Sequence, residues 1–154
     1  MHKLLLHPAE PGRLYQQNHV GVYRSDDHGE SWARIDKGLP SDFGFPLAVH
    51  PTKGDRCYVV PLEGGDYSFR ATPGAIVVYR RDGKKWTALT QGLPAEHAYT
   101  GVKREGLAAD ALDPCGVYLG TSTGHLYASR DEGDSWREIS ANLPPILAVS
   151  VAVA

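Results

Sequence analysis

An octapeptide that occurs twice is the feature that most constrains how this chain folds. Residues 25–32 read Ser-Asp-Asp-His-Gly-Glu-Ser-Trp, and residues 129–136 read Ser-Arg-Asp-Glu-Gly-Asp-Ser-Trp. Both follow the pattern Ser-x-Asp-x-Gly-x-Ser-Trp, and residues 79–86 carry a degenerate third copy that begins with Tyr79. A motif that recurs about every 50 residues indicates a repeat protein, in which each repeat is one supersecondary unit.

Other positions recur in step with the octapeptide. Its tryptophans, Trp32, Trp86 and Trp136, lie 54 and 50 residues apart, and a Leu-Pro pair follows each of them seven residues later. A proline step stands earlier in each repeat, at His7-Pro8, His50-Pro51 and Asp113-Pro114. Because the residue before proline is displaced from the helical region, these steps predict turns at matching places.

Each repeat contains four short segments rich in Val, Leu, Ile and Tyr, separated by Gly, Pro and Asp. Such segments predict β-strands bounded by turns. We predict strands at 4–7, 13–17, 21–24 and 32–36, at 47–50, 56–61, 75–80 and 86–90, and at about 107–112, 117–121, 125–129 and 136–140. Four antiparallel strands in each repeat of this length predict an all-β protein made of β-propeller blades.

The repeats define three blades within a single partial propeller domain. We predict blades at about 2–40, 45–94 and 95–144, and an extra strand at 147–154 that begins a fourth blade. Propellers close with roughly four to eight blades, so we expect an incomplete ring. The missing blades then come either from the rest of a longer chain or from self-association.

Composition excludes several classes of function. The 154 residues are 42% hydrophobic and 22% charged, with a net charge of −2 and no basic run that would favour nucleic acid or an anionic membrane. No apolar run approaches the roughly 20 residues that span a bilayer, and the first eight residues are too short for a signal peptide, so we expect a cytoplasmic protein. Cys57 and Cys115 fit no disulfide framework and no metal spacing. We predict buried, reduced thiols, no metal and no cofactor.

The octapeptides resemble the Asp-box, or BNR repeat, of the sialidase-like superfamily. Residues 17–27, together with the second octapeptide, resemble bacterial BNR-repeat proteins described as sialidase-like or glycosyl hydrolase-like, of which this chain would be the C-terminal part. The resemblance places each box on the hairpin between the third and fourth strands of a blade, where Asp, Ser and Gly suit a tight turn and Trp supplies apolar area. We therefore predict a structural role for the box residues Ser25, Asp27, Gly29, Trp32, Asp82, Gly83, Trp86, Ser129, Asp131, Gly133 and Trp136.

The same resemblance implies that a functional site lies on the edge of the blades opposite the boxes. The segments expected there are 16–19, 38–45, 62–73 and 94–106, and the last two are longer than a propeller requires. Their polar and aromatic side chains suit a carbohydrate or another polar small ligand. The predicted ligand-binding residues are Asn18, His19, Asp42, Tyr67, Arg70, Tyr99 and Arg104.

Two alternatives remain open. A glycoside hydrolase would use two carboxylates about 5–10 Å apart, and the candidates are Glu63, Asp66 and Glu105. The three arginines and the early Arg-Ile-Pro of sialidases are not visible, so a xyloglucanase-like enzyme that uses carboxylates is the other form of this alternative. The second alternative is an assembly or scaffold protein, as some Asp-box propellers of photosystem assembly are, and it predicts an apolar patch on the same edge.

Overall fold

The computed structural model describes residues 1–62 and 74–153, and the strands within them form three four-stranded antiparallel sheets. These strands are β1 (Lys3–Leu6), β2 (Leu14–Asn18), β3 (Gly21–Ser25), β4 (Ala33–Arg34), β5 (Gly44–Val49), β6 (Cys57–Pro61), β7 (Val78–Asp82), β8 (Lys85–Leu89), β9 (Leu107–Ala109), β10 (Val117–Gly120), β11 (Leu126–Ser129) and β12 (Arg137–Ser140). Each sheet pairs its strands in chain order, which gives blade 1 (β1–β4), blade 2 (β5–β8) and blade 3 (β9–β12). Over the two described ranges there is no helix, and hence none that could span a membrane. The all-β prediction is confirmed.

The blades pack face to face around their innermost strands. β1 contacts β5, and β5 contacts β9, so the first strand of each blade lies on the inside of the arc. Because successive residues of a strand point to opposite faces, β6 contributes side chains both to the core between blades 1 and 2 and to the core between blades 2 and 3. Cys57 and Val59 pack against Tyr15 of blade 1, whereas Tyr58 and Val60 pack with residues of blade 3. Both cysteines are buried, as is each of these core residues.

The octapeptide of blade 3 forms a closed hydrogen-bonded turn between β11 and β12. The Asp131 carboxylate accepts hydrogen bonds from Ser129 Oγ at 2.7 Å, from the Ser135 amide at 2.9 Å and from Ser135 Oγ at 2.5 Å. Ser129 Oγ in turn accepts from the Gly133 amide at 2.7 Å. Glu132 and Gly133 adopt the left-handed conformation, with φ of 59° and 97°. The pKa of Asp131 is lowered overall. Burial by itself would raise this pKa, but the hydrogen bonds from Ser129 and Ser135 together have the larger effect.

The turns of the other two blades differ from each other. In blade 1, Asp27 accepts from the amide of Ser31 at 2.9 Å and from its hydroxyl at 2.5 Å, and these bonds are the main cause that lowers the pKa of Asp27 to about 2. Blade 2 instead has a tight hairpin in which Asp82 pairs with Lys85 across two residues. Its Asp82 carboxylate bonds Arg56 at 2.5 Å and Arg80 at 3.0 Å. The degenerate octapeptide thus places its aspartate in an ion pair.

The three equivalent tryptophans show that the arc of blades is open. Trp86 and Trp136 each pack onto the preceding blade and are 8% and 6% exposed. The Trp86 indole also donates a hydrogen bond to the carbonyl of Ile35 in blade 1, at 2.8 Å. Trp32 belongs to the first blade, has no preceding blade in the structure and is 37% exposed, with its indole bonded to Gly29 O of its own turn. The ring is therefore not closed by these three blades.

Arginine pairs join neighbouring blades at the edge that carries the octapeptides. Arg24 of blade 1 bonds Asp55 of blade 2 at 2.5 Å, and Arg80 of blade 2 bonds Asp134 of blade 3 at 2.7 Å. A second arginine lies immediately before the neighbouring strand in each case, Arg13 before β2 and Arg56 before β6. The strand register puts Gly116 and Ala128 at the corresponding positions of blade 3.

His50 is a buried histidine of the same edge. Its Nδ1 accepts hydrogen bonds from the amides of Thr52 at 3.2 Å and Lys53 at 3.0 Å, so the proton resides on Nε2, which donates to Glu132 of blade 3 at 3.2 Å. Burial, followed by the positive charges of Lys53 and Arg56, lowers the pKa of His50 to about 4. The neutral imidazole is therefore the form that fits this contact between blades.

The segment predicted as an extra strand follows blade 3 along the inside of the arc. Ala148 forms an isolated parallel bridge with Glu105, and the Val149 amide donates to Glu105 O at 2.8 Å. Val151 and Val153 continue beside β9 and line an axial cavity of about 520 Å³ together with residues of β1 and β5. The segment thus runs parallel to the first strand of blade 3, beside its beginning.

Candidate functional site

The innermost strands β1, β5 and β9 all begin at the edge opposite the octapeptides. This follows from the meander of each blade, because the β1–β2 and β3–β4 connections share one edge and the remaining connections share the other. Residues at or just before these strand beginnings meet His19, which lies in the β2–β3 connection on the same edge. We call His2, His19, Phe43, Phe45 and Arg104 the rim cluster.

The rim cluster is held together by ring contacts. The His2 and His19 rings lie 4.3 Å apart, centroid to centroid, at 74°, and His2 lies 4.6 Å from Phe45. His19 stacks on Phe43 with 5.5 Å between centroids and 21° between planes. The Arg104 guanidinium carbon lies 5.4 Å from the Phe45 ring centroid, a cation–π arrangement. Blade 1, blade 2 and the segment that leads into blade 3 therefore each contribute to one surface.

Hydrogen bonds define the protonation of the two histidines. His2 Nδ1 lies 2.7 Å from the carbonyl oxygen of Gly44, which can only accept, so the proton of His2 is on Nδ1. His2 Nε2 therefore accepts from His19 Nε2, at 3.2 Å. Burial of His2, followed by the proximity of His19 and Arg104, lowers the pKa of His2, even though the bond to Gly44 favours its charged form. The surface therefore combines a His2 imidazole that favours its neutral form with the His19 ring and the Arg104 guanidinium.

Glu105 and Asp42, two acidic residues of the same edge, are paired with cations. Lys3 forms an ion pair with Glu105, and Asp42 lies 3.3 Å from Arg34, which also bonds Asp36 at 2.8 Å. Within residues 1–62 and 74–153, Arg104 has no acidic partner. A ligand that reaches the rim cluster meets the Arg104 guanidinium beside the half-buried ring of Phe45 and the exposed ring of His19.

Only some of the predicted ligand-binding residues lie in or next to the rim cluster. His19 and Arg104 belong to the rim cluster, and Asp42 immediately precedes its Phe43. Asn18 stabilises the turn between β2 and β3, because its Oδ1 accepts a hydrogen bond from the Val20 amide at 2.8 Å. Tyr99 is 64% exposed and contacts the ring of His97 at 6.1 Å. The predicted residues Glu63, Asp66, Tyr67 and Arg70 lie outside the described residues.

Sequence reasoning did not single out His2, Phe45 or Lys3. All three lie at the start of an innermost strand, which the meander directs to this edge. A signal was available, since the strand order alone places the beginnings of β1 and β5 beside the segments that were predicted to carry the site.

A mostly apolar cavity of about 310 Å³ opens on the same edge, at the end of β6. Its lining residues are Pro40, Val60, Pro61, Leu62, Ala75, Ile76, Val77, Tyr79, Thr100, Gly101 and Val102. Thr100 supplies a hydroxyl at this lining and bonds Thr123 Oγ1 at 2.9 Å. No group of three or more metal-ligating side chains occurs among the residues with described positions.

No protein-family model matches the chain, and no curated protein matches it. Solved structures do resemble it. The GH74 xyloglucanase from Xanthomonas campestris superposes with a TM-score of 0.65 at 27% identity, over 92% of this chain and 20% of that one. The GH74 enzyme from Niastella koreensis gives a TM-score of 0.60 at 18% identity, over 92% of this chain and 18% of that one. YCF48 from Cyanidioschyzon merolae gives a TM-score of 0.59 at 16% identity, over 91% of this chain and 39% of that one.

These similarities concern the fold and only part of each known protein. The chain spans about a fifth of the length of the GH74 enzymes and about two fifths of YCF48. All of these are β-propeller proteins, and their resemblance covers all three sheets of this chain. The described residues therefore have the fold of three consecutive β-propeller blades in an open arc.

Proposed function

We propose that this chain is the ligand-binding part of a β-propeller and that it binds a carbohydrate or another polar small ligand at the rim cluster. The observation that carries the proposal is the convergence of rings from blades 1 and 2 and of one guanidinium from the segment that leads into blade 3. Aromatic faces stack on the apolar faces of sugar rings, and Arg104 can donate several hydrogen bonds to hydroxyl or carboxylate oxygens. Pockets of this kind combine apolar walls with a few polar groups that fix orientation.

Two further features support a carbohydrate ligand. The Ser-x-Asp-x-Gly-x-Ser-Trp turns fit an Asp-box relationship to sialidase-like propellers, which we include in the proposal. The Xanthomonas campestris protein, at 27% identity, is a xyloglucanase. Xyloglucan oligosaccharides are therefore the first ligands to test.

A glycoside hydrolase is the second candidate, favoured by the same similarity. Hydrolysis needs a proton-donating carboxyl group and a second carboxylate. Of the proposed pair members, Glu105 forms an ion pair with Lys3, so its carboxylate is already engaged within the protein. For this reason we rank binding above catalysis.

An assembly or scaffold role is a third candidate, and the apolar cavity at the end of β6 supports it. YCF48, which shares the fold, has been solved bound to a D1 peptide. Extended apolar peptides are the matching probe, and their binding should respond to changes at the cavity, such as Val77→Asp.

Titration calorimetry with xyloglucan oligosaccharides and a panel of acidic and neutral sugars tests the leading proposal. We expect Arg104→Ala and His19→Ala each to weaken binding at least about tenfold, which is the loss of ~1.4 kcal/mol. Lys84→Ala, a cation on the octapeptide edge, is the matched control and should bind like the unchanged chain. Equal affinities for all variants, or no sugar bound at millimolar concentration, would contradict the proposal. Release of reducing ends that Glu105→Gln abolishes would instead favour the hydrolase.

A further inference from the structure

The contact between His2 and His19 in the rim cluster depends on the number of protons that the two rings hold. We call these two residues the histidine pair. His2 Nδ1 donates to the carbonyl of Gly44 at 2.7 Å, and His2 Nε2 lies 3.2 Å from His19 Nε2. When both rings are neutral, the hydrogen between the two Nε2 atoms therefore belongs to His19.

One added proton is compatible with this hydrogen bond. A histidinium ring carries hydrogen on both of its nitrogens. If His19 takes the proton, its Nε2 still donates to His2. If His2 takes it, its Nε2 donates to a neutral His19 that keeps its hydrogen on Nδ1. In both cases a single hydrogen lies between the two Nε2 atoms.

A second added proton is not compatible with the contact. Both Nε2 atoms then carry hydrogen, so a donor faces a donor at a distance of 3.2 Å. The two rings, whose centroids are 4.3 Å apart, also both carry a positive charge, and like charges this close repel each other. The pair can hold two added protons only if its rings separate.

The groups around His2 oppose its protonation. Burial is the largest cause that lowers the pKa of His2, which is 9% exposed. The hydrogen bond to Gly44 has the opposite effect. Further lowering of this pKa comes from neighbouring groups, which are His19, Arg104 and the amino group of Met1.

The described carboxylates near the histidine pair are paired with other cations. Asp42, which precedes Phe43, forms an ion pair with Arg34. Glu105, which follows the rim arginine, forms one with Lys3 of β1. Within residues 1–62 and 74–153, neither imidazole of the pair has an ion-pair partner. A second positive charge on the pair therefore meets no carboxylate among these residues.

His19 is the ring that can move. The His2 amide donates to Gln17 O at 2.9 Å, and the His2 ring lies 4.6 Å from that of Phe45, so its backbone and its side chain are both held. His19 is exposed, lies in the β2–β3 connection and stacks on Phe43. A change of side-chain rotamer can take the His19 ring into solvent without breaking a strand pair.

We propose that the histidine pair is a pH-dependent switch of the rim cluster. The cluster stays assembled while the pair holds no added proton or one, and the His19 ring leaves it when a second proton binds. This removes the stacking of His19 on Phe43, which forms part of the proposed ligand-binding surface. The effect of the switch on a ligand rests on the proposed function, and the expected effect is release of the ligand in acid.

Long-range ¹H–¹⁵N NMR correlation of the histidine rings tests the switch in the chain without a ligand. At about pH 8 we expect hydrogen on Nδ1 of His2 and on Nε2 of His19, with His2→Gln and His19→Gln used to assign the signals. As the pH decreases to about 4, the two rings should titrate as a coupled pair in two steps. Nuclear Overhauser effects between the rings of His19 and Phe43 should persist through the first step and disappear in the second.

Several NMR results would overturn the switch. One is hydrogen on Nε2 of His2 at about pH 8, and another is an independent single-step titration of each ring. A third is a contact between His19 and Phe43 that persists when both imidazoles are charged. Circular dichroism at each pH monitors the fold, and unfolding of the whole chain before the second step would also overturn the proposal.

Titration calorimetry with xyloglucan oligosaccharides over the same pH range tests the consequence for binding. We expect the affinity of the unchanged chain to fall at least about tenfold between about pH 8 and about pH 4. His2→Gln keeps an oxygen that can accept from His19 and takes up no proton, so it should reduce this change to less than about twofold. His97→Gln removes an exposed histidine outside the rim cluster and is the matched control, which should keep the full pH dependence.

The two measurements separate the switch from the proposed function. Sugar binding that does not change with pH in the unchanged chain would overturn the switch and leave the proposed function in place. Two-step titration of the rings without sugar binding at any pH would overturn the proposed function and leave the switch in place.

Discussion

The Asp131 carboxylate gives the sharpest test of how the octapeptide stabilises a blade. Asp131→Ala removes three hydrogen bonds, from Ser129 Oγ, the Ser135 amide and Ser135 Oγ. Hydrogen bonds to charged groups contribute about 1.5–3 kcal/mol each, but this turn is partly open to water, which replaces part of the loss. We therefore expect the free energy of unfolding to fall by about 2 kcal/mol. For a chain of this size that corresponds to a decrease in Tm of roughly 4–8 °C.

Urea denaturation followed by tryptophan fluorescence at pH 7 measures this loss. The protein concentration is kept constant, because self-association would add to the apparent stability. Asp131→Asn should lose less than Asp131→Ala, since an amide oxygen can still accept from the Ser135 amide. Glu96→Ala, which removes a carboxylate from an exposed loop, is the control and should stay within about 0.5 kcal/mol of the unchanged chain. An Asp131→Ala variant as stable as this control would refute the proposed role of the turn.

Three further outcomes are expected. Burial and neighbouring cations lower the pKa of His50 to about 4, so the unfolded chain binds more protons below its ordinary value of 6.5, and stability should fall as the pH decreases from about 6.5 to about 4. His50→Gln should flatten that dependence in urea titrations at a series of pH values. Trp86→Phe removes the donor to the carbonyl of Ile35 and should cost about 1–2 kcal/mol in the same assay. Burial raises the pKa of Cys57 to about 12 and of Cys115 to about 11, so a thiol reagent should label them only at the rate of unfolding.

The fold was largely predictable because local features repeat. The tryptophan spacing and the short apolar segments between Gly, Pro and Asp predicted four-stranded antiparallel blades, and the described strands form three such sheets in chain order. The ends of strands were harder to predict. β4 has two residues instead of the predicted five, since its partner β3 pairs only through Tyr23 and Arg24. β7 begins at Val78 and not at Ala75, because the amide of Ile76 bonds the carbonyl of Pro94 outside the sheet.

The candidate site was predictable only in part, since it depends on contacts between blades. His19 and Arg104 were found because they lie in connections on the expected edge. His2 lies next to the beginning of a strand and outside the segments predicted for this edge. Phe45 lies within the predicted segment 38–45 but was not singled out, because its role depends on contacts with His2 and Arg104. The pairing of Lys3 with Glu105 joins residues far apart in sequence, and no local pattern predicts such an ion pair.

The arginine pairs make blade 2 compatible with copies of itself. It carries Asp55, which receives Arg24 of the blade before it, and it carries Arg56 and Arg80 in the positions of Arg13 and Arg24. Its Trp86 also packs onto the preceding blade, and its Leu89 and Leu93 pack against the following blade. Blade 3 has Gly116 and Ala128 in these two positions and so lacks this arginine pair. Blade 2 is therefore the natural consensus unit from which to build propellers with a chosen number of blades.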